Sequence, residues 1–291
     1  MKLMQWLILV FFLTTSTTQA QRILSPIPDL YQVNSGKQFY YEDAAGRYRL
    51  TGVLMDLGGS SVGLGEDLPI ERVRQNIMGK FGDLQPDQIR KTPIRGIYEL
   101  LFGKMVKYID GSGRFLFRGA KLFSQSGDNL TAKALADAAK NTAKKHLALL
   151  KQIPQDKMLI YPAKNEKHVL TVFTDTNCSF CRQLHHDIPE YNRRGVTIRY
   201  LFFPRAGVDS SSYHTAISVW CSENQQQALD NIENGFAISS QTCQHPVDKH
   251  LSLANQLNLL GTPVLMLENG ELLYGYSSPD EIITKLLKLP S

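Results

Sequence analysis

Ile70, Val73 and Ile77 recur at i, i+3 and i+7 within Pro69–Met78. That spacing marks one apolar helix face, and Pro69 stands where a first helical turn tolerates proline. A second, longer helix is expected from Asp128 or Asn129, either of which can cap it, to about Lys151. The stretch is rich in Ala and Leu and meets neither Gly nor Pro before Pro154. Leu130, Ala134, Ala138 and Leu149 suit either a core helix or a rigid arm about 30 Å long between domains. Beyond it the period changes. His168 to Thr174 is an apolar run of strand length, and Val196 to Phe203 alternates as a buried strand. Ser210 to about Leu259 is mostly helical in pattern. Val264–Leu267, the turn Glu268-Asn-Gly-Glu271 and Leu272–Tyr276 read as a hairpin, and Ser278 with Pro279 opens a last helix.

The strand-rich part before the long helix repeats itself. Ser25–Gly52 aligns with Thr92–Gly119 at an offset of 67 without a gap and shares ten of 28 positions, among them Pro26/Pro93, Tyr41/Tyr108, Asp43/Asp110, Gly46/Gly113 and Gly52/Gly119. Chance gives about two, so the segment reads as a duplicated β unit. Each copy places short strands around a tight reversal, Asp43-Ala-Ala-Gly46 and Asp110-Gly-Ser-Gly113, where Asp and Gly suit the turn. The chain is therefore divided into a leader (1–20), an extra N-terminal β unit (21–57), a second β unit with its helix (58–127), a linker helix (128–153) and a C-terminal domain (154–291).

Composition adds a compartment. Lys2, the apolar run Leu7–Leu13 and the small polar residues ending Thr18-Gln19-Ala20 form a secretory signal, with cleavage expected after Ala20. That apolar core is too short for a permanent membrane anchor. Loss of Lys2 leaves 31 basic against 27 acidic residues, a net charge of about +4 spread along the chain. Nucleic acid is not an expected partner. The densest basic stretch, Lys140–Lys151, is interleaved with Ala and Leu as a solvated helix face would be.

The chemistry lies in Phe173-Thr-Asp-Thr-Asn-Cys178-Ser-Phe-Cys181. Two thiols three positions apart, just after a strand and at the start of a helix, sit where the helix N-terminus favours a thiolate. Cys178, nearest that end, is the expected nucleophile, and Cys181, one turn on, the resolving thiol. A purely structural bridge there would close too short a loop to stabilise the fold. Cys221 and Cys243 complete the four cysteines of an exported chain, giving one catalytic and one structural pair. A four-cysteine zinc site does not suit a second pair 22 positions apart. Neither a metal nor a cofactor is expected.

These residues, with Leu184-His185, Tyr191-Asn192, Tyr200-Leu-Phe-Phe-Pro204-Arg205, Trp220-Cys221 and Gly261-Thr262-Pro263, resemble the periplasmic disulfide isomerases of the DsbC and DsbG type. The resemblance runs from about Ile70 to the C-terminus. It implies an α/β fold: a thioredoxin-like domain opened by a helical insertion, preceded by a small β-rich (α+β) dimerisation-type domain and a linker helix. It also implies that Pro263 follows a cis bond opposite the thiols and that Thr262 and Pro263 position the substrate. Two departures stand out. Ser179-Phe180 replaces the Gly-Tyr usual between the thiols of DsbC, and Arg182 replaces a histidine, placing a permanent cation where it would favour the thiolate and the reduced form. His185 is expected to be a solvated helix histidine, with assistance to proton transfer as the alternative.

The implied function is reduction or isomerisation of non-native disulfides in exported proteins, by an enzyme kept reduced by a DsbD-like membrane donor. Its rivals are a net oxidase of the DsbA kind and a chaperone or assembly scaffold with secondary redox activity. The resemblance further implies a homodimer. The extra β copy then either enlarges the dimer or pairs with the second copy in the same chain and caps its edge. The dimer is the expectation, because the first copy has no upstream helix like Pro69–Met78 and is not expected to mimic a whole partner domain.

Overall fold

The computed structural model describes residues 20–36, 38–82 and 84–289. The leader lies outside the described residues, apart from Ala20. The chain divides into two compact units, Met1–Asp137 and Ala138–Ser291, so the division falls inside the long helix.

In the first unit, β1 (Gln21–Leu24), β2 (Leu30–Asn34), β3 (Phe39–Asp43), β4 (Tyr48–Leu50) and β5 (Val53–Asp56) precede helix α1 (Ile70–Ile77). They recur as β6 (Gln88–Lys91), β7 (Ile97–Phe102), β8 (Met105–Asp110), β9 (Phe115–Arg118) and β10 (Leu122–Ser124). The duplication extends to single hydrogen bonds. Asp43 Oδ1 accepts from the Tyr48 amide at 2.8 Å and Asp110 Oδ1 from the Phe115 amide at 2.6 Å. Ser25 and Thr92 each bond to the residue two positions on.

The proposed boundary between 21–57 and 58–127 does not describe how this unit folds. The two sheets run β1-β2-β3-β4-β10 and β5-β9-β8-β7-β6, so each copy gives its last strand to the other's sheet. Of the two places open to the first copy, the chain adopts pairing with the second copy. The borrowed strand completes five strands in each sheet.

Helix α2 (Leu130–Leu150) links the units. Asn129 caps it, its side-chain oxygen accepting from the Ala132 amide at 2.9 Å. The second unit contains β11 (Leu159–Tyr161), β12 (His168–Thr174), α3 (Ser179–His186), α4 (Ile188–Arg193), β13 (Val196–Phe202), α5 (Ser211–Trp220), α6 (Gln225–Glu233), α7 (Val247–Gln256), β14 (Val264–Met266), β15 (Leu272–Tyr274) and α8 (Pro279–Leu286). Its sheet order is β11-β13-β12-β14-β15, with β12 and β13 parallel and the other pairs antiparallel. Strand β13 does not alternate. All but Arg199 of its residues are buried, because helices cover both faces of a central strand. Ser278 and Glu281 close a capping box at the start of α8. This is the thioredoxin-like arrangement, with α5, α6 and α7 between the third and fourth strands of the domain.

Candidate active site

Strand β12 ends at Thr174 and delivers the chain to a short loop whose geometry is fixed by one buried carboxylate. Asp175 is 3% exposed. It accepts from the Asn177 amide at 2.9 Å, the Arg205 amide at 3.0 Å and Arg205 Nε at 2.9 Å. Arg205 also donates to the Asn177 carbonyl at 2.7 Å. The loop after β12 and the loop after β13 are thereby joined on either side of the helix start. Burial alone would raise the Asp175 pKa, but these hydrogen bonds and the charge of Arg205 outweigh it and hold the group below its ordinary value.

Cys178 is the N-cap of α3, and its sulfur accepts from the Cys181 amide at 3.2 Å. Both sulfurs are unbridged, Cys178 6% exposed and Cys181 1%. The Cys181 side chain donating to Cys178 is the largest cause of a lowered Cys178 pKa; the Thr262 side chain, the Cys181 amide and the charge of Arg205 add to it against the cost of burial. Cys181 moves the other way, chiefly by burial and then by its bond to Cys178. The geometry shifts two identical side chains in opposite directions, favouring the thiolate at Cys178 and the thiol at Cys181.

Opposite them the Thr262–Pro263 peptide is cis, and the Thr262 carbonyl lies 3.4 Å from the Cys178 sulfur. The Thr262 hydroxyl is buried without a hydrogen-bond partner among the described residues and lies where it favours either thiolate. The ladder between β12 and β14 ends at Phe173↔Val264, so the Thr262 backbone lies just past it. Phe180, 58% exposed, and Leu260, 94% exposed, give this rim apolar character despite their access to water. Cys221 and Cys243 are joined by a disulfide with their Cα atoms 5.7 Å apart, tying α5 to the irregular segment before α7.

Two expectations need correction. His185 is not solvated. It is 6% exposed, stacked on Tyr200, with Nε2 2.9 Å from Asp230, and burial lowers its pKa. The helical insertion brings Asp230 of α6 over this side of α3, a tertiary placement that position on a helix does not disclose. The cation acting on Cys178 is Arg205 rather than Arg182. Arg182 instead acts on Glu233, which sequence reasoning passed over. Glu233 closes α6, is 1% exposed and leaves Oε2 without a hydrogen-bond partner among the described residues. Burial, with the charges of Cys178 and Asp175 added, pushes it up to about 8. Among the described residues no group of three or more His, Cys, Asp or Glu could hold a metal ion.

Two family descriptions match the chain: a thioredoxin-like domain over residues 154–290 and the N-terminal domain of disulfide bond isomerase proteins over residues 65–132. The thiol:disulfide interchange protein DsbC of Escherichia coli K12 is 33% identical over 222 residues, covering 75% of this chain and 86% of its own. DsbC of Haemophilus influenzae is 35% identical over 201 residues, covering 68% and 82%. The crystal structure of a disulfide interchange protein from Neisseria gonorrhoeae is 31% identical, covering 45% of this chain and 96% of that one, with a TM-score of 0.41.

Proposed function

The chain belongs to the DsbC family of thiol:disulfide interchange proteins, and from that premise we propose how its own residues carry out disulfide isomerisation and reduction. The Cys178 thiolate attacks one sulfur of a substrate disulfide, forming a mixed disulfide and releasing the other substrate sulfur as a thiolate. In the isomerising branch a second substrate thiolate attacks the mixed disulfide. A new substrate disulfide forms, Cys178 leaves as a thiolate, and no net electrons are transferred. In the reducing branch Cys181 loses its proton and attacks the Cys178 sulfur. The substrate departs reduced, the Cys178–Cys181 disulfide remains, and a dithiol donor must return two electrons. Thr262 and Pro263 position the extended substrate opposite the thiols.

The observation that carries this reading is the opposite shift of the two thiols, Cys178 down and Cys181 up. A stabilised thiolate is both the better-populated nucleophile and the better leaving group. The finer reading places the protein in the periplasm after cleavage behind Ala20, acting on disulfide-containing exported proteins and re-reduced by a DsbD-like membrane protein. No helix among the described residues is long and apolar enough to cross a membrane. The family's N-terminal domain suggests a homodimer, but its match, residues 65–132, spans the second β copy only. Alkylation of the exported protein in intact cells, read as a mass shift, tests the direction of the chemistry. Reduced Cys178 is expected, and a fully oxidised pair would instead make the protein a net oxidase.

A further inference from the structure

The two β copies exchange their last strands. Leu50↔Leu122 on one side and Val53↔Arg118 on the other continue one antiparallel ribbon from sheet to sheet. Between them the Thr51 amide donates to the Lys121 carbonyl at 2.9 Å and the Lys121 amide to Thr51 Oγ1 at 3.0 Å. The aligned glycines Gly52 and Gly119 both lie in the left-handed region, with φ of 101° and 66°. A Cβ on Gly52 would come within 2.7 Å of the Arg118 carbonyl oxygen, whereas the space at Gly119 is open, so the close approach of backbone is at the Gly52 side of the crossing.

The core between the copies is built from aligned positions. Ile27 and Ile94, Leu30 and Ile97, Tyr41 and Tyr108, and Leu50 and Phe117 are aligned pairs, and all eight side chains are buried in one cluster. Each copy therefore covers the inner face of the other. The outer faces differ. In the second copy Ile89, Tyr98, Leu100, Ile109 and Leu116 pack with Val73 and Ile77 of α1. The aligned positions of the first copy are Arg22, Tyr31, Val33, Glu42 and Arg49. There Arg22 pairs with Glu42 at 2.9 Å and lies over the Tyr31 ring at 3.9 Å. A charged outer face needs no covering helix. The missing upstream helix is thus accounted for: the first copy keeps the inner face and dispenses with the rest.

The family match covers the second copy alone. A chain ending its N-terminal domain there would leave Ile94, Ile97, Tyr108, Phe115 and Phe117 bare and would need a second subunit to cover them. We propose that the first copy, Gln21–Asp56, is a built-in partner: it occupies within one chain the surface through which a single-copy relative would recruit another subunit, and the exported protein is a monomer. Strands exchanged reciprocally between two like units are the relation of a swapped dimer, here made covalent by the segment joining β5 to α1. One particle then carries one Cys178–Cys181 pair rather than two. A substrate is handled by a single redox site.

Two measurements on the full exported chain decide this. Multi-angle light scattering across a hundredfold range of concentration should give the mass of one chain throughout, and a mass twice that at any concentration overturns the proposal. The second reports whether the crossing is made in one chain or between two. In a C178A/C181A background, T51C and K121C together should form a cross-link that changes gel mobility without doubling the mass. A doubled band would show that the copies pair between chains and would overturn the proposal, as would free thiols at both positions. Neither readout depends on redox activity, so failure here leaves the enzymatic reading standing.

Discussion

The backbone N–H of Cys181 points at the sulfur of Cys178 across 3.2 Å, so the first cysteine caps the helix that carries the second. A negative charge on Cys178 is thus met by the helix end, and the same charge discourages ionisation of Cys181.

Cys178 should therefore react first with an alkylating agent, with an inflection below the ordinary thiol pKa of about 8.5. Cys181→Ala should trap mixed disulfides with substrate, each joined through Cys178. Peptide mapping of the trapped complexes checks this. Complexes that require Cys181 and survive loss of Cys178 would reverse the two roles.

Arg205 reaches Cys178 only by its field, yet it also holds the Asp175 loop. Arg205→Gln removes the charge and should raise the alkylation inflection of Cys178, slowing modification most at and below pH 5, where the thiolate of the parent is only partly populated. Arg182→Gln should leave that inflection where it is. Equal shifts in the two variants would show that the cation beside the second cysteine matters as much as the one on the loop after β13.

The redox motif was legible because its chemistry is local: strand, turn and helix start all lie within Phe173–Cys181. The repeat was legible through Pro26/Pro93, Asp43/Asp110 and Gly52/Gly119, since turns and crossings constrain residue identity. What the repeat does was not. Leu50 pairs with Leu122, 72 positions away, and neither alternation nor turn chemistry says which sheet receives a strand. The same holds for Glu233. As the last residue of an amphipathic helix it reads as surface, and only the packing of the insertion beside the thiols makes it a buried acid. Asp175 and Arg205 stood in quoted motifs, but the bond joining them spans two loops.

The Cys221–Cys243 bridge closes a sequence separation of 22 residues, away from the redox motif. It should survive the mild reductant that opens the Cys178–Cys181 pair, as mapping of alkylated peptides would show. Replacing both cysteines by Ala should lower stability by about 3 kcal/mol, the chain-entropy value for a loop of this size, while Cys178 alkylation keeps its rate. Ready labelling of Cys221 and Cys243 in the untreated exported protein would exclude the bridge.

Glu233 makes stability depend on pH in a direction opposite to that of a salt-bridged carboxylate. Its pKa rises from 4.5 to about 8 on folding, chiefly through burial. Below pH 4.5 the group is neutral in both states and costs nothing. As pH rises from there, the unfolded chain gives up the proton while the folded one keeps it, so this group removes about 1.4 kcal/mol of stability per pH unit. The loss is complete once pH passes 8 and the folded carboxyl ionises too. Glu233→Gln keeps the shape and abolishes the titration. Urea midpoints of parent and variant should therefore coincide near pH 4 and separate steadily in favour of the variant up to pH 8. The Cys178 charge also raises Glu233, so oxidising the active pair, which removes that charge, should narrow the gap. Parallel midpoint curves for parent and variant across this range would mean that Glu233 stays ionised in the folded protein, with Arg182 compensating its burial in full.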